Sequence, residues 1–298
     1  MSRNKKPDLI KIIGIAVFMI VGILSFLYSE GYFQDKTAGV VTETDTYIDF
    51  ISCGQGDSTL IVSGDDVMLV DTTTADESQS VVDHLKSRGI KEIDRLVLTH
   101  PHEDHIGGAG SILDEFEVGE ILMKKPTKGT EPTTKVYIQL LKKIKTLEIP
   151  VKNAVLGDEF TCGKWNFTVL GPIDEYEDLN DQSVALRGVY DDISLLLKGD
   201  QESGAEKDLV EKYGYELRST IYAVAHHGSS GASCDTLLDA VSPQYAVISC
   251  GVDNSYGHPH QETLDRLEAC NAQIYRTDLD GTVTLYTDGK NVEYKENV

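Results

Sequence analysis

The sequence predicts an α/β domain with helices outside a pair of packed sheets, preceded by one membrane-spanning helix. Two observations carry this. An uncharged apolar run at residues 12–28 follows a basic leader. From about Asp45 onward, short β-branched runs alternate with stretches whose apolar residues recur at three- and four-residue steps. A hydrophobic content of 40% over 298 residues allows a normal buried core and excludes a disordered or fibrous chain.

Residues 1–8 form the basic leader, with Arg3, Lys5 and Lys6. Residues 9–28 read as a transmembrane helix, since Leu9 and Ile10, across Lys11, extend the apolar run to roughly the 20 residues that cross a bilayer core. The flank after it, Ser29-Glu-Gly-Tyr32, is acidic to neutral. Positive charge before the span therefore places the N-terminus in the cytoplasm, and the rest of a single-pass cell-membrane protein faces outward. A cleaved signal peptide needs small residues at its processing site, which Phe26, Leu27 and Tyr28 do not supply. Residues 29–44 read as a polar linker and 45–298 as the folded domain.

Within that domain, strands are expected at 47–51, 58–62, 67–70, 95–98, 167–170, 183–186, 193–197, 221–224, 245–248 and 282–286. Helices are expected at 77–86, 135–145, 205–213, 236–240 and 261–270. Strands in runs with helices distributed between them argue for the layered arrangement.

The formal charge of -22 repels polyanions, so a nucleic-acid partner needs a local exception. From Lys124 to Lys152 there are eight lysines against two glutamates, and Lys124, Lys125 and Lys128 are candidates to hold a phosphate polymer. The same run also reads as the solvated face of a helix at 135–145. Cys53, Cys162, Cys234, Cys250 and Cys270 are odd in number and contain no C-x-x-C pair. They indicate neither a disulfide framework nor a cysteine zinc site.

Seven of the eight histidines fall in three clusters. The run His100-Pro-His102-Glu-Asp104-His105 leaves the apolar stretch Arg95-Leu-Val-Leu-Thr99. It can offer two imidazoles to one cation, and a carboxylate plus an imidazole to a neighbouring one. Gly107-Gly108 are expected to permit a sharp turn. Gly199-Asp200 follows the apolar run at 193–197, His226-His227 follows the one at 221–224, and His258 and His260 form the third cluster.

The pattern His-x-His-x-Asp-His-x-Gly-Gly after a strand resembles the signature of the metallo-β-lactamase superfamily. The resemblance runs from about Asp49 to Asp288 and implies a four-layer αββα sandwich. Asp71 resembles the superfamily's first-motif aspartate, and Asp200 the later carboxylate that bridges two metals. Gly54-Gln-Gly-Asp57-Ser58, Ala225-His226-His227-Gly and Tyr256-Gly-His258-Pro-His260, in this order, resemble the soluble metallohydrolase domain of ComEC-type competence proteins.

That resemblance implies metal ligation by His100, His102, Asp104, His105, Asp200 and one of His226 and His227. It implies catalytic roles for Asp104 and for His258, the latter as proton donor or substrate contact, and it places Asp57, Asp71 and Asn180 at the site. No histidine lies between Ile106 and Ala225, where many members have one. Asn180-Asp181-Gln-Ser183 resembles the polar segment that ComEC-type domains carry there, and the resemblance implies a cofactor of one or two divalent ions, Zn or Mn. Ser52-Cys53 and Thr73 depart from the usual Asp-Val and Gly, changes that either tune or weaken the site.

The implied reaction is phosphodiester hydrolysis by hydroxide formed on the cation at the outer membrane face, with DNA as substrate. A cell-envelope phosphodiester or another small ester is the alternative that the acidity favours. A non-catalytic anchored protein with a degenerate metal site is a third.

Overall fold

Strands such as Thr59–Ser63 and Ile193–Leu197 are mostly apolar, with only Thr59, Ser63 and Ser194 polar, because both their faces are covered. The computed structural model describes residues 45–126 and 131–295. The expected leader, span and linker, and Lys128, lie outside them. Among the described residues no helix is long and apolar enough to cross a membrane.

The first sheet opens with an antiparallel meander of β1 (Thr46–Phe50), β2 (Thr59–Ser63) and β3 (Asp66–Val70). Parallel β4 (Glu92–Leu98), β5 (Glu117–Met123) and β6 (Val151–Asn153) follow. The second sheet repeats this order. β7 (Glu159–Cys162), β8 (Trp165–Gly171), β9 (Ala185–Tyr190) and β10 (Ile193–Leu197) are antiparallel, and β11 (Ile221–Ala223), β12 (Tyr245–Ile248) and β13 (Gln273–Arg276) continue in parallel. β14 (Val283–Thr287) and β15 (Val292–Lys295) return to the first sheet, with Ile48 opposite Leu285 and Phe50 opposite Val283.

Parallel neighbours require crossovers, and these supply the outer layers. On the first sheet they are α1 (Ser78–Ser87), α2 (Glu103–Ile106), α3 (Ala109–Glu115) and α4 (Lys135–Thr146); on the second, α5 (Ser203–Tyr213), α6 (Asp235–Val241) and α7 (Gln261–Ala269). Between the sheets lie Phe50, Met68, Val97, Trp165, Phe167 and Leu195, all fully buried. Leu69, Leu96 and Leu98 face the other way, onto Val82, Ile112 and Leu140 of the helices. Leu196, Tyr222 and Ile248 do the same toward Leu209, Leu238 and Leu267. The result is the expected αββα sandwich.

Five strands lack a sequence signal. β6, β7, β13 and β15 are short, partly exposed sheet-edge strands, and β5 opens on the polar Glu117-Val-Gly-Glu120. The reason for Gly107-Gly108 also differs from expectation. Both adopt ordinary right-handed helical angles. A Cβ on Gly108 would meet the Thr72 carbonyl oxygen at 2.1 Å, and one on Gly107 the Ala75 nitrogen at 2.5 Å. Close packing of α2 and α3 against the segment after β3 excludes a side chain there, not a turn that only glycine can make.

Candidate metal centre

The metal-ligand candidates all sit where parallel strands end, outside the carboxyl edge of both sheets. β3 ends at Val70, and Asp71 leaves it at φ 60°. Its carboxylate accepts from the Thr99 amide at 2.8 Å, the Thr99 hydroxyl at 2.6 Å and His105 Nδ1 at 2.8 Å. Asp71 thus fixes the loop after β4 and aims the His105 ring.

The segment 180–183 joins the two halves of the site. The Val184 amide donates to the Thr99 carbonyl at 2.9 Å, and the Asp200 amide to Ser183 Oγ at 3.2 Å. The Glu202 amide donates to Asp181 at 2.8 Å. After β11, His226 and His227 take φ values of 52° and 54°, a region that non-glycine residues seldom enter and histidine enters more readily than most. The turn splays the rings to 72°, with centroids 6.1 Å apart.

Each of three imidazoles has its Nδ1 occupied from outside the centre. His105 Nδ1 donates to Asp71, His226 Nδ1 meets Glu202 Oε1 at 3.0 Å, and His227 Nδ1 donates to the Ser249 carbonyl at 3.0 Å. Their Nε2 atoms turn inward on Asp200. His105 Nε2 lies 3.2 Å from Asp200 Oδ1, while His100, His226 and His227 Nε2 lie 3.8, 3.8 and 3.9 Å from Oδ2. Asp104 approaches His227 Nε2 at 3.3 Å, and His102 Nδ1 approaches His100 Nε2 at 3.1 Å.

Donor atoms of Asp104, His105, Asp200 and His227 all fall within 4.8 Å of one another. His105 Nε2 and Asp200 Oδ1 are buried, and neither makes a hydrogen bond. Buried groups without partners are costly unless something else satisfies them. Carboxylates and imidazoles facing one point are the donor set of a divalent cation. The residues therefore fit the metal that the sequence implies.

The electrostatics agree. Burial pushes the pKa of His105 and His227 down, but Asp200 with Asp71 around one, and Asp200 with Asp57 and Asp104 around the other, hold both well above the ordinary imidazole value. Against the upward pull of burial, His105 and His227 keep the Asp200 carboxyl well below its usual range. Asp104 is lowered too, with the His227 hydrogen bond and the charges of His105 and His227 overriding its burial. The centre attracts positive charge.

Asp104, Asp200, His102, His226 and His227 open onto a cleft of about 690 Å³ that Gln55, Glu103, Asn180, Tyr256 and His258 also line. His258 lies with its ring centroid 5.7 Å from His226. Burial and the nearby His227 and His226 lower its pKa to about 4. Asp57 stands behind, 3.6 Å from His227 Nδ1. Lys124 and Lys125 line a second, mostly apolar pocket with Leu98, Met123 and Tyr137, on which His100 also borders, and Lys124 pairs with Glu175.

Glu202 and the Ser249 carbonyl carry no sequence signal. Glu202 is one acid among many, and a carbonyl has no identity in a sequence. The departures at Ser52 and Thr73 are absorbed by hydrogen bonds. Ser52 Oγ donates to the Thr277 carbonyl at 3.2 Å and Thr73 Oγ1 to the Cys53 carbonyl at 2.8 Å. Thr73 takes φ 58°, which explains why glycine suits that position.

A model of the metallo-beta-lactamase superfamily matches residues 51–252. The chain is 30% identical over 275 residues to competence protein ComA of Neisseria gonorrhoeae, covering 90% of this chain and 35% of that protein. It is 28% identical over 255 residues to ComE operon protein 3 of Bacillus subtilis, covering 79% and 32%. The chain thus spans about a third of the length of these curated relatives. It superposes on CmlA, a diiron beta-hydroxylase from Streptomyces venezuelae, with a TM-score of 0.58 at 16% identity, covering 83% of this chain and 55% of that one. At that identity the likeness is one of fold. The sandwich, the convergent imidazoles and carboxylates and the matched family model agree, and the chain belongs to the metallo-β-lactamase superfamily as a metallohydrolase similar to competence proteins.

Proposed function

We propose that the protein is a phosphodiesterase of ComEC type, held at the cell membrane by residues 9–28 with its hydrolase domain outside. One observation carries the catalytic part: three imidazoles with Nδ1 occupied turn Nε2 onto the two oxygens of Asp200. Asp104, His105, Asp200 and His227 form the tighter candidate shell. His100 and His226 Nε2 lie 3.8 Å from Asp200 Oδ2, the oxygen that His227 also faces, and His102 Nδ1 approaches His100 Nε2. By this reading both His226 and His227 are ligands, two ions are accommodated, and the donor set suits Zn or Mn.

A bound divalent cation supplies a Lewis acid to a phosphoryl oxygen and brings the pKa of water down to about 7. The chain's own residues do the rest. Asp71, Glu202 and the Ser249 carbonyl hold three imidazoles in orientation, the arrangement that raises ligand basicity. Asp104 remains ionised and acts as ligand and anionic partner for a water. His258, neutral at physiological pH, meets the substrate with one N–H donor and one acceptor, which favours substrate contact over proton donation.

The test is hydrolysis of bis-p-nitrophenyl phosphate by the full chain in detergent with Mn or Zn. Asp104→Ala and His105→Ala should each lower kcat/KM on the order of 100-fold or more. An inactive wild-type protein with a bound metal would leave the non-catalytic alternative standing. Protease accessibility of the domain on intact cells tests the orientation.

A second reading keeps the site but gives it a cell-envelope phosphodiester or another small ester. The charge of -22 favours it, as do the ion pairs of Lys124 with Glu175, Lys143 with Asp114 and Lys152 with Glu120. DNA cleavage that falls steeply with salt would favour the first reading, since each phosphate contact adds about 0.9 to the slope of log K against log salt.

A further inference from the structure

Tyr256 is 65% exposed, yet it lines the same cleft as the ligand candidates. Its ring lies nearly parallel to that of His258, at 23° with centroids 5.6 Å apart, and His258 itself sits 5.7 Å from His226. A line of rings therefore runs from the metal centre to the rim, ending on an open aromatic face. The loop that carries Tyr256 is held in place by Asn254, whose Oδ1 accepts from the His258 amide at 3.0 Å and whose Nδ2 donates to the His258 carbonyl at 2.6 Å.

A second observation comes from across the cleft. Asn180 Oδ1 is buried without a hydrogen-bond partner, and so is His258 Nδ1. Both residues line the cleft, so two polar side chains, each with an unpaired buried atom, border the exposed aromatic surface. Nucleobases carry a π-face that stacks on aromatic side chains and N–H groups at their edge. The rest of the lining is Gln55, the imidazoles of His102, His226 and His227, and the carboxylates of Glu103, Asp104 and Asp200, of which Glu103 alone is not a ligand candidate.

Resting on the phosphodiesterase reading, we infer that Tyr256 is a specificity-determining platform on which the base of a nucleoside phosphodiester stacks, with the Asn180 side-chain amide turning to meet the base edge. The substrate class is then a nucleotide or single-stranded nucleic-acid ester, recognised through the base beside the scissile phosphate.

Two esters with the same p-nitrophenolate leaving group test this in the full chain: thymidine 5′-(p-nitrophenyl phosphate) and methyl p-nitrophenyl phosphate. The readout is the ratio of their kcat/KM values within one protein, in which any general loss of activity or folding cancels. The wild-type ratio should exceed that of Tyr256→Ala by roughly 5- to 150-fold, the range carried by base–aromatic stacking. Tyr256→Phe should keep the wild-type ratio. Equal ratios in wild type and Tyr256→Ala, with both esters cleaved, would overturn the platform and leave the phosphodiesterase intact. Failure of the wild-type protein to cleave either ester would overturn the reading beneath it.

Discussion

Lys198 Nζ lies 2.6 Å from Glu206 Oε1, and both residues are wholly buried. The lysine also donates to the Gln201 carbonyl at 2.6 Å, and the glutamate accepts from the Ser233 and Cys234 amides at 2.6 and 2.8 Å. The pair thereby ties the Asp200 loop to the segment after His226-His227. Removing one partner leaves an uncompensated buried charge, which costs about 3–5 kcal/mol. Lys198→Met should lose that much in denaturant unfolding, and Lys198→Met with Glu206→Gln should recover part of it. A loss below about 1 kcal/mol would mean that the pair is not what holds these loops.

Glu202 orients the His226 ring from outside the centre, across 3.0 Å. Loss of such an orienting carboxylate typically lowers metal affinity about 10- to 100-fold. Glu202→Ala should show that drop in competition against a chelator, while its circular dichroism stays that of the wild type. An unchanged affinity would show that His226 does not ligate.

Metal removal should lower the thermal midpoint of the full chain. At a free metal concentration of 100 times Kd, binding adds about 2.7 kcal/mol to stability. For a domain of this size that corresponds to a fall of roughly 5–10 °C on chelation. Asp200→Ala, which removes the carboxylate that the candidate imidazoles face, should melt at the same temperature with and without chelator.

Two glycines in one loop and helix should respond in opposite directions. Gly108→Ala drives a Cβ to 2.1 Å from the Thr72 oxygen, whereas a Cβ on Gly110, inside α3, meets nothing within 4 Å. Gly108→Ala should destabilise by about 1–3 kcal/mol through overpacking. Gly110→Ala should stabilise by roughly 0.5–1 kcal/mol through helix propensity. Chemical denaturation of the two variants separates them.

The layered fold was legible because strands covered on both faces are mostly apolar, as in Leu60-Ile-Val62 and Leu195-Leu-Leu197. Edge strands were not: β15 is only partly buried at every position, so its sequence need not alternate. At the site, His105 stood out from the spacing of its histidine run, and Asp200 from the resemblance of Gly199-Asp200 to a superfamily motif. What aims them did not, because Glu202 acts through a contact 24 positions away and Ser249 through its backbone. The lysine-rich run illustrates the reverse. On α4 it caps with Thr134, buries Tyr137, Leu140 and Ile144, leaves Lys135, Lys142 and Lys145 exposed, and turns Lys143 onto the Gly110 carbonyl and Asp114.

Asp104 and His105 hang from the first sheet, Asp200 and His227 from the second, and 123 positions of chain separate Asp104 from His227. An ion gripped by all four would rivet one half of the sandwich to the other at the end where the strands stop. The protein's reactive spot and its clasp would then be the same few atoms, so that loosening one for turnover loosens the other.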